Sequence, residues 1–150
     1  MDRASTFFRP GGTLEPGAES YIARSADREL IEALRGGNYV FLLDSRQKGK
    51  SSLVARSIEK LREAGIRPVK LDLQRIGSNV TPEQWYAGLI VGVGQELGLQ
   101  SELLDYWRSR QDVGPLARFI GAIQEVVLAQ VQEPLVIFVD EVDFVRALEF

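Results

Sequence analysis

The stretch Asp44-Ser45-Arg46-Gln47-Lys48-Gly49-Lys50-Ser51-Ser52 holds the residues of this sequence best suited to chemistry. It matches the phosphate-binding pattern G-x-x-x-x-G-K-[ST] at every defined position except the first. Gly49 allows a tight turn that aims successive amide N–H groups at phosphate oxygens, and a helix starting there adds its positive end. Lys50 brings a mobile ammonium to the outer phosphates. Ser51 offers a hydroxyl to Mg²⁺, a hard cation that takes oxygen ligands and keeps several of its waters. Asp44 stands where the pattern has glycine: Asp tolerates unusual backbone angles, but its carboxylate repels a polyphosphate. The plain alternative is a Gly-Lys-Ser turn that merely opens a helix. The apolar run before the loop and the amphipathic pattern after it favour the phosphate reading.

A second group, Asp140-Glu141, follows the apolar run Leu135–Val139. An acid at the end of a strand near such a loop helps to hold Mg²⁺, and its neighbour polarises the attacking water. Asp140 suits the first role and Glu141 the second. Asp143 reads as a helix cap or a surface acid, with a metal role as the minor option, and Asp72 as a supporting acid or simply a strand end. With no Cys and no His among the 150 residues, disulfides, thiolate or imidazole metal sites and every Ser/His or Cys/His nucleophile pair are excluded. Eighteen Lys and Arg against 21 Asp and Glu leave a net charge of −3, which argues against a domain built on nucleic-acid backbone contacts.

The elements that must position these groups can be read from periodicity. Residues 1–20 are rich in Pro and Gly and read as an irregular leader. Leu30, Ile31 and Leu34 share one helix face that Gly36-Gly37 ends, and Tyr39–Leu43 reads as a strand covered on both faces. Val54, Ile58 and Leu61 mark a helix from Ser51 to Ala64-Gly65, and Val69–Leu73 a second strand. Thr81-Pro82-Glu83-Gln84 is a capped helix start, continued by Trp85, Leu89, Val93 and Leu97, with Trp85 and Tyr86 in the core. Beyond it lie Ser101–Arg110 and a helix opening at Pro115. The latter carries Leu116, Phe119, Ile120, Ile123, Val126 and Val127 as a core stripe. Leu135–Val139 is the last strand. The order predicts an α/β layout with a parallel sheet in one domain, over which a chain of this length buries roughly 70% of its surface. Nothing reads as a secretory signal or a membrane span, so the expected location is cytoplasmic.

The segments Tyr21-Ile22-Ala23-Arg24, Asp27-Arg28-Glu29-Leu30, LLDSRQKGKSSL, NVTPEQWYAGLI and PLVIFVDEVD together resemble the AAA-like ATPase domain found at the front of many bacterial, especially cyanobacterial, multidomain signalling proteins. The resemblance covers nearly the whole chain, and the first loop position in that family is often Asn, so Asp44 is a small departure. It implies a three-layer P-loop NTPase fold with a parallel sheet over residues 21–150, incomplete at its C-terminal side. The Walker A loop is 44–51 and the Walker B strand 135–141. ATP and Mg²⁺ are the implied cofactors. Asp44, Ser45, Arg46, Gln47, Lys48, Gly49, Lys50, Ser51 and Ser52 are expected around the phosphates, Ser51 and Asp140 on the metal, and Glu141 and Lys50 in catalysis. Arg46 and Lys48 face phosphate, a partner or solvent. Tyr21, Ile22 and Arg24 lie near the adenine by the same resemblance; read from the sequence alone, they equally suit N-terminal packing.

The expected function is Mg²⁺-dependent ATP binding and hydrolysis as a switch module of a larger signalling protein. A non-catalytic nucleotide-binding or interaction domain is the alternative, and a small kinase a more distant one. Expected partners are ATP, downstream domains of the same protein or a protein partner, and a second copy of the chain, with no membrane or nucleic acid. In this family type another strand separates the Walker B strand from the phosphate-loop strand. Val40–Leu43 is therefore expected to lack partners on both edges, so that the chain alone pairs it directly with the last strand, borrows a strand from another copy, or is marginally stable and weakly active.

Overall fold

Among the described residues two helices carry the first part of the chain. The computed structural model describes residues 25–42 and 50–149, which fall into two compact units, 1–66 and 67–150. In the first unit α1 spans Ser25–Arg35 and α2 spans Lys50–Glu63. Leu30 and Ile31 are buried on α1, with Asp27 in its first turn and Arg35 in its last, as the helix dipole favours. On α2, Ser52, Ser57 and Leu61 are buried, whereas Val54 and Ile58 are half-buried, and the two helices pack together. Both end on a left-handed glycine, Gly37 at φ 72° and Gly65 at φ 73°. The next residues, Asn38 and Ile66, donate back to Ala33 O and Leu61 O, closing the helix ends where a side chain would be strained.

The expected strand over Tyr39–Leu43 is not formed. Asn38–Leu42 adopts no regular structure, Tyr39 is 97% exposed and Phe41 82%; Leu43 lies outside the described residues. An apolar run becomes a strand only when a neighbour takes its backbone N–H and C=O groups, and among the described residues no such neighbour pairs with it.

The second unit is built on two parallel strands, β1 (Arg67–Asp72) and β2 (Leu135–Asp140), in the register Arg67↔Leu135 through Asp72↔Asp140. Parallel neighbours need a long crossover, and residues 73–134 supply it as helices. The first, α3 (Pro82–Leu97), starts on a complete capping box: Thr81 Oγ1 accepts from Gln84 N, and Gln84 Oε1 accepts from Thr81 N. It packs on β1, burying Val69 and Leu71 against Ile90 and Val93. Next come α4 (Gln100–Ser109), which contributes Leu103 and Trp107, and α5 (Pro115–Ala122). Trp85 is buried, and Tyr86 meets Phe119 with ring centroids 5.8 Å apart.

The expected stripe on the Pro115 helix is corrected. Leu116 is 53% and Ile120 46% exposed, while Arg118 is 4% exposed. After Ala122 the helix passes through a π turn, Ile123–Val127, before its last turn, α6 (Leu128–Gln130). The π turn inserts one residue and rotates the rest of the helix by about 100°. Val126 and Val127 thereby come onto the side of Arg118 and Ala122, and Leu116 and Ile120 are left facing outward.

The two sheet edges differ. On β1, Pro68 has no N–H to offer, and the Lys70 N–H donates to Glu96 Oε2 at 3.4 Å, so this edge is closed by its own domain. On β2 no further strand pairs among the described residues, and on its face Ile137 is 41% and Val139 47% exposed although the run Leu135–Val139 is apolar. Among the described residues the sheet has only two strands, so the molecule is mixed α/β with a small parallel sheet. Among these residues no helix is long and apolar enough to cross a membrane.

Candidate functional site

The paired strands end on two acids placed side by side, because the register sets Asp72 beside Asp140. Like charges in that position repel, and each carboxylate has its own commitment. Asp72 Oδ1 accepts from Gln74 N at 3.0 Å and caps the short 3-10 turn Leu73–Arg75, which makes it a strand end and a cap. Asp140 Oδ1 accepts from Glu141 N at 3.0 Å, and its Oδ2 lies 3.4 Å from Lys70 Nζ. Lys70 sits two residues before Asp72 on the same sheet face, the diagonal position that a long side chain spans.

Glu141 is the described residue with a positive φ that is not glycine, at φ 57° and ψ 41°. A side chain costs about 1–2 kcal/mol in this region, and such strain gathers at functional sites. The twist turns the chain sharply out of β2 into the 3-10 turn Val142–Ala147, in which Phe144 N donates to Glu141 O at 2.9 Å. This turn touches Leu73–Arg75, so both strand ends are braced together. The Glu141 side chain is exposed, and Asp143 is an exposed acid in the first turn.

Of the expected phosphate residues, Lys50 is the first residue of α2 and half-buried, Ser51 comes next and is exposed, and Ser52 is buried. The first turn of α2 carries no acid, so its positive end is reinforced by Lys50. Asp44, Ser45, Arg46, Gln47, Lys48, Gly49, Tyr21, Ile22 and Arg24 lie outside the described residues. Lys50, Ser51 and Ser52 belong to the first unit, and Asp140 and Glu141 to the second. Among the described residues no three acidic side chains converge on a metal position. Lys70 is not singled out by the sequence; its signal there is a cation at a polar-face position two residues ahead of a strand-end acid.

Compared with known proteins, residues 9–149 match the family model of an AAA-like domain. The chain belongs to that AAA-like family. This AAA-like domain is 34% identical, over 97% of its length, to an uncharacterized WD repeat-containing protein of Synechocystis sp.. It spans 12% of the length of that relative, so the segment recurs within a much longer multidomain protein. No solved structure matches it.

Proposed function

We propose that this AAA-like domain binds Mg²⁺·ATP in the loop ahead of α2 and hydrolyses it, as the nucleotide-driven switch of a larger cytoplasmic protein. The observation that carries the reading is Glu141, held in a strained left-handed turn immediately after Asp140 at the end of an apolar parallel strand. Lys50 would meet the outer phosphates from the first turn of α2, and residues 44–49 would wrap the phosphates with backbone N–H groups. Ser51 and Asp140 are hard oxygen donors that fit Mg²⁺, and Asp140 Oδ2 already attracts a cation, the Lys70 ammonium. Bound there, the metal would neutralise charge developing on the phosphates. Glu141 would take the proton of the attacking water. Tyr21, Ile22 and Arg24 would border the adenine. The complete three-layer sheet of this reading would have a further strand on the side of β2 away from β1.

The second reading is a nucleotide-binding or interaction domain without turnover. Asp44 in the loop and the occupied Asp140 carboxylate favour it. ATP binding and phosphate release by the chain, compared with Glu141→Gln, separate the two. Binding with release that the variant loses supports a hydrolase, and binding with no release supports the second reading.

A further inference from the structure

Asp140 faces a cation of the chain itself. Its Oδ1 is taken by the backbone N–H of Glu141, and its Oδ2 faces Lys70 Nζ at 3.4 Å. Lys70 pairs with Asp140, while Asp72 Oδ1 accepts from Gln74 N. Both members of the pair are about half-exposed, at 43% and 49% of their side chains. Exposed pairs of this kind hold each other by at most about fivefold. Such a bond is strong enough to orient the carboxylate and weak enough for a divalent cation to replace it.

We infer that Lys70 is a placeholder cation for the metal position: it orients Asp140 before Mg²⁺ binds and leaves Oδ2 when Mg²⁺ arrives, so that it sets the Mg²⁺ concentration the site requires. The inference rests on the nucleotide reading above. Lys70 acts through Asp140, as a positioning residue. Its exchange opposes metal binding, so removing the charge makes Mg²⁺ bind more readily, whereas a phosphate-binding lysine would do the reverse.

The test is a titration of free Mg²⁺ against a fluorescent ATP analogue bound to the chain, for the wild type, Lys70→Met and Lys70→Arg. Lys70→Met should lower the half-saturating Mg²⁺ concentration about two- to fivefold, leave binding of the metal-free analogue unchanged, and differ from Lys70→Arg, which stays near wild type. An unshifted Mg²⁺ midpoint in Lys70→Met overturns the inference and leaves the nucleotide reading standing. Weaker metal-free binding in that variant also overturns it, by making Lys70 a phosphate ligand. A wild type that binds the analogue equally with and without Mg²⁺ overturns the inference, and one that does not bind the analogue at all overturns the nucleotide reading with it. Independently of variant folding, ¹³C-methylated Lys70 in the wild-type fold should shift its NMR signal when Mg²⁺ joins the bound analogue. A signal that stays in place counts against the exchange.

Discussion

The guanidinium of Arg118 lies 4.4 Å from the centroid of the Trp107 ring and joins three helices of the second unit. Its Nη1 donates to Glu83 Oε1 at 2.6 Å and its Nη2 to Val113 O at 2.9 Å, while its buried Nε has no hydrogen-bond partner among the described residues. A buried cation is tolerated because a carboxylate, a carbonyl and an aromatic face all meet it.

Arg118→Ala should therefore destabilise the domain by about 2–4 kcal/mol, by removing a packed buried side chain. Glu83→Gln should cost about 2–3 kcal/mol, because it leaves the charge buried without its counterion. Urea unfolding measures both. Losses under about 0.5 kcal/mol would reduce the cluster to ordinary surface contact.

Tyr106 is the second test. Its Oη donates to Glu125 Oε1 at 3.0 Å, while Arg110 Nη2 donates to Glu125 Oε2 at 3.1 Å. Desolvation, and then the hydrogen bond and charge of Glu125, raise the phenol above its ordinary value. A group raised on folding contributes its stability in full below the ordinary tyrosine range and loses it as pH climbs through the raised value. Glu125→Gln should move the ultraviolet titration of Tyr106 back to lower pH. Gly121 belongs to the same cluster, since a Cβ there would run into Tyr106 Oη. Gly121→Ala should displace that hydroxyl from Glu125 at a net cost of at most about 1 kcal/mol, since the atom that moves is the end of a side chain and alanine suits the helix better.

In the proposed reading Glu141 trades stability for chemistry. Glu141→Gly should stabilise the domain by about 1 kcal/mol, because glycine adopts φ 57° without a Cβ clash. The same variant should lose hydrolysis, and so should Glu141→Gln, by about a hundredfold or more with nucleotide binding retained. Thermal unfolding and phosphate release check the pair. Equal turnover in wild type and Glu141→Gln would remove this residue from the chemistry.

Lys50→Ala should weaken Mg²⁺·ATP binding about tenfold or more, through loss of a charged contact to phosphate, with helix α2 intact by circular dichroism. Unchanged affinity would sink the phosphate site.

Among the described residues β2 pairs only with β1, so the chain should associate with itself as concentration rises. Val139→Lys should suppress this, since a charge on an exposed strand opposes pairing. Light scattering across a concentration series reads the difference. Association unaffected by the substitution would place the sticky surface elsewhere.

The helices, their ends and the strand-end acids were legible in the sequence because they depend on neighbours a few residues away. Thr81 and Gln84 cap α3 within one turn, Gly37 and Gly65 end their helices by backbone freedom alone, and Asp140 and Glu141 directly follow an apolar run. Features that depend on distant partners required the tertiary structure. Tyr39–Leu43 has the composition of a strand, but composition supplies no neighbour to take its hydrogen bonds, and residues 38–42 form none. Leu116 and Ile120 fit an ideal helical stripe, yet one extra residue in the π turn rotates the phase and buries Arg118. Lys70 meets Asp140 only because β1 and β2 pair in parallel at a single register, and a slip of one residue would turn Lys70 to the opposite face.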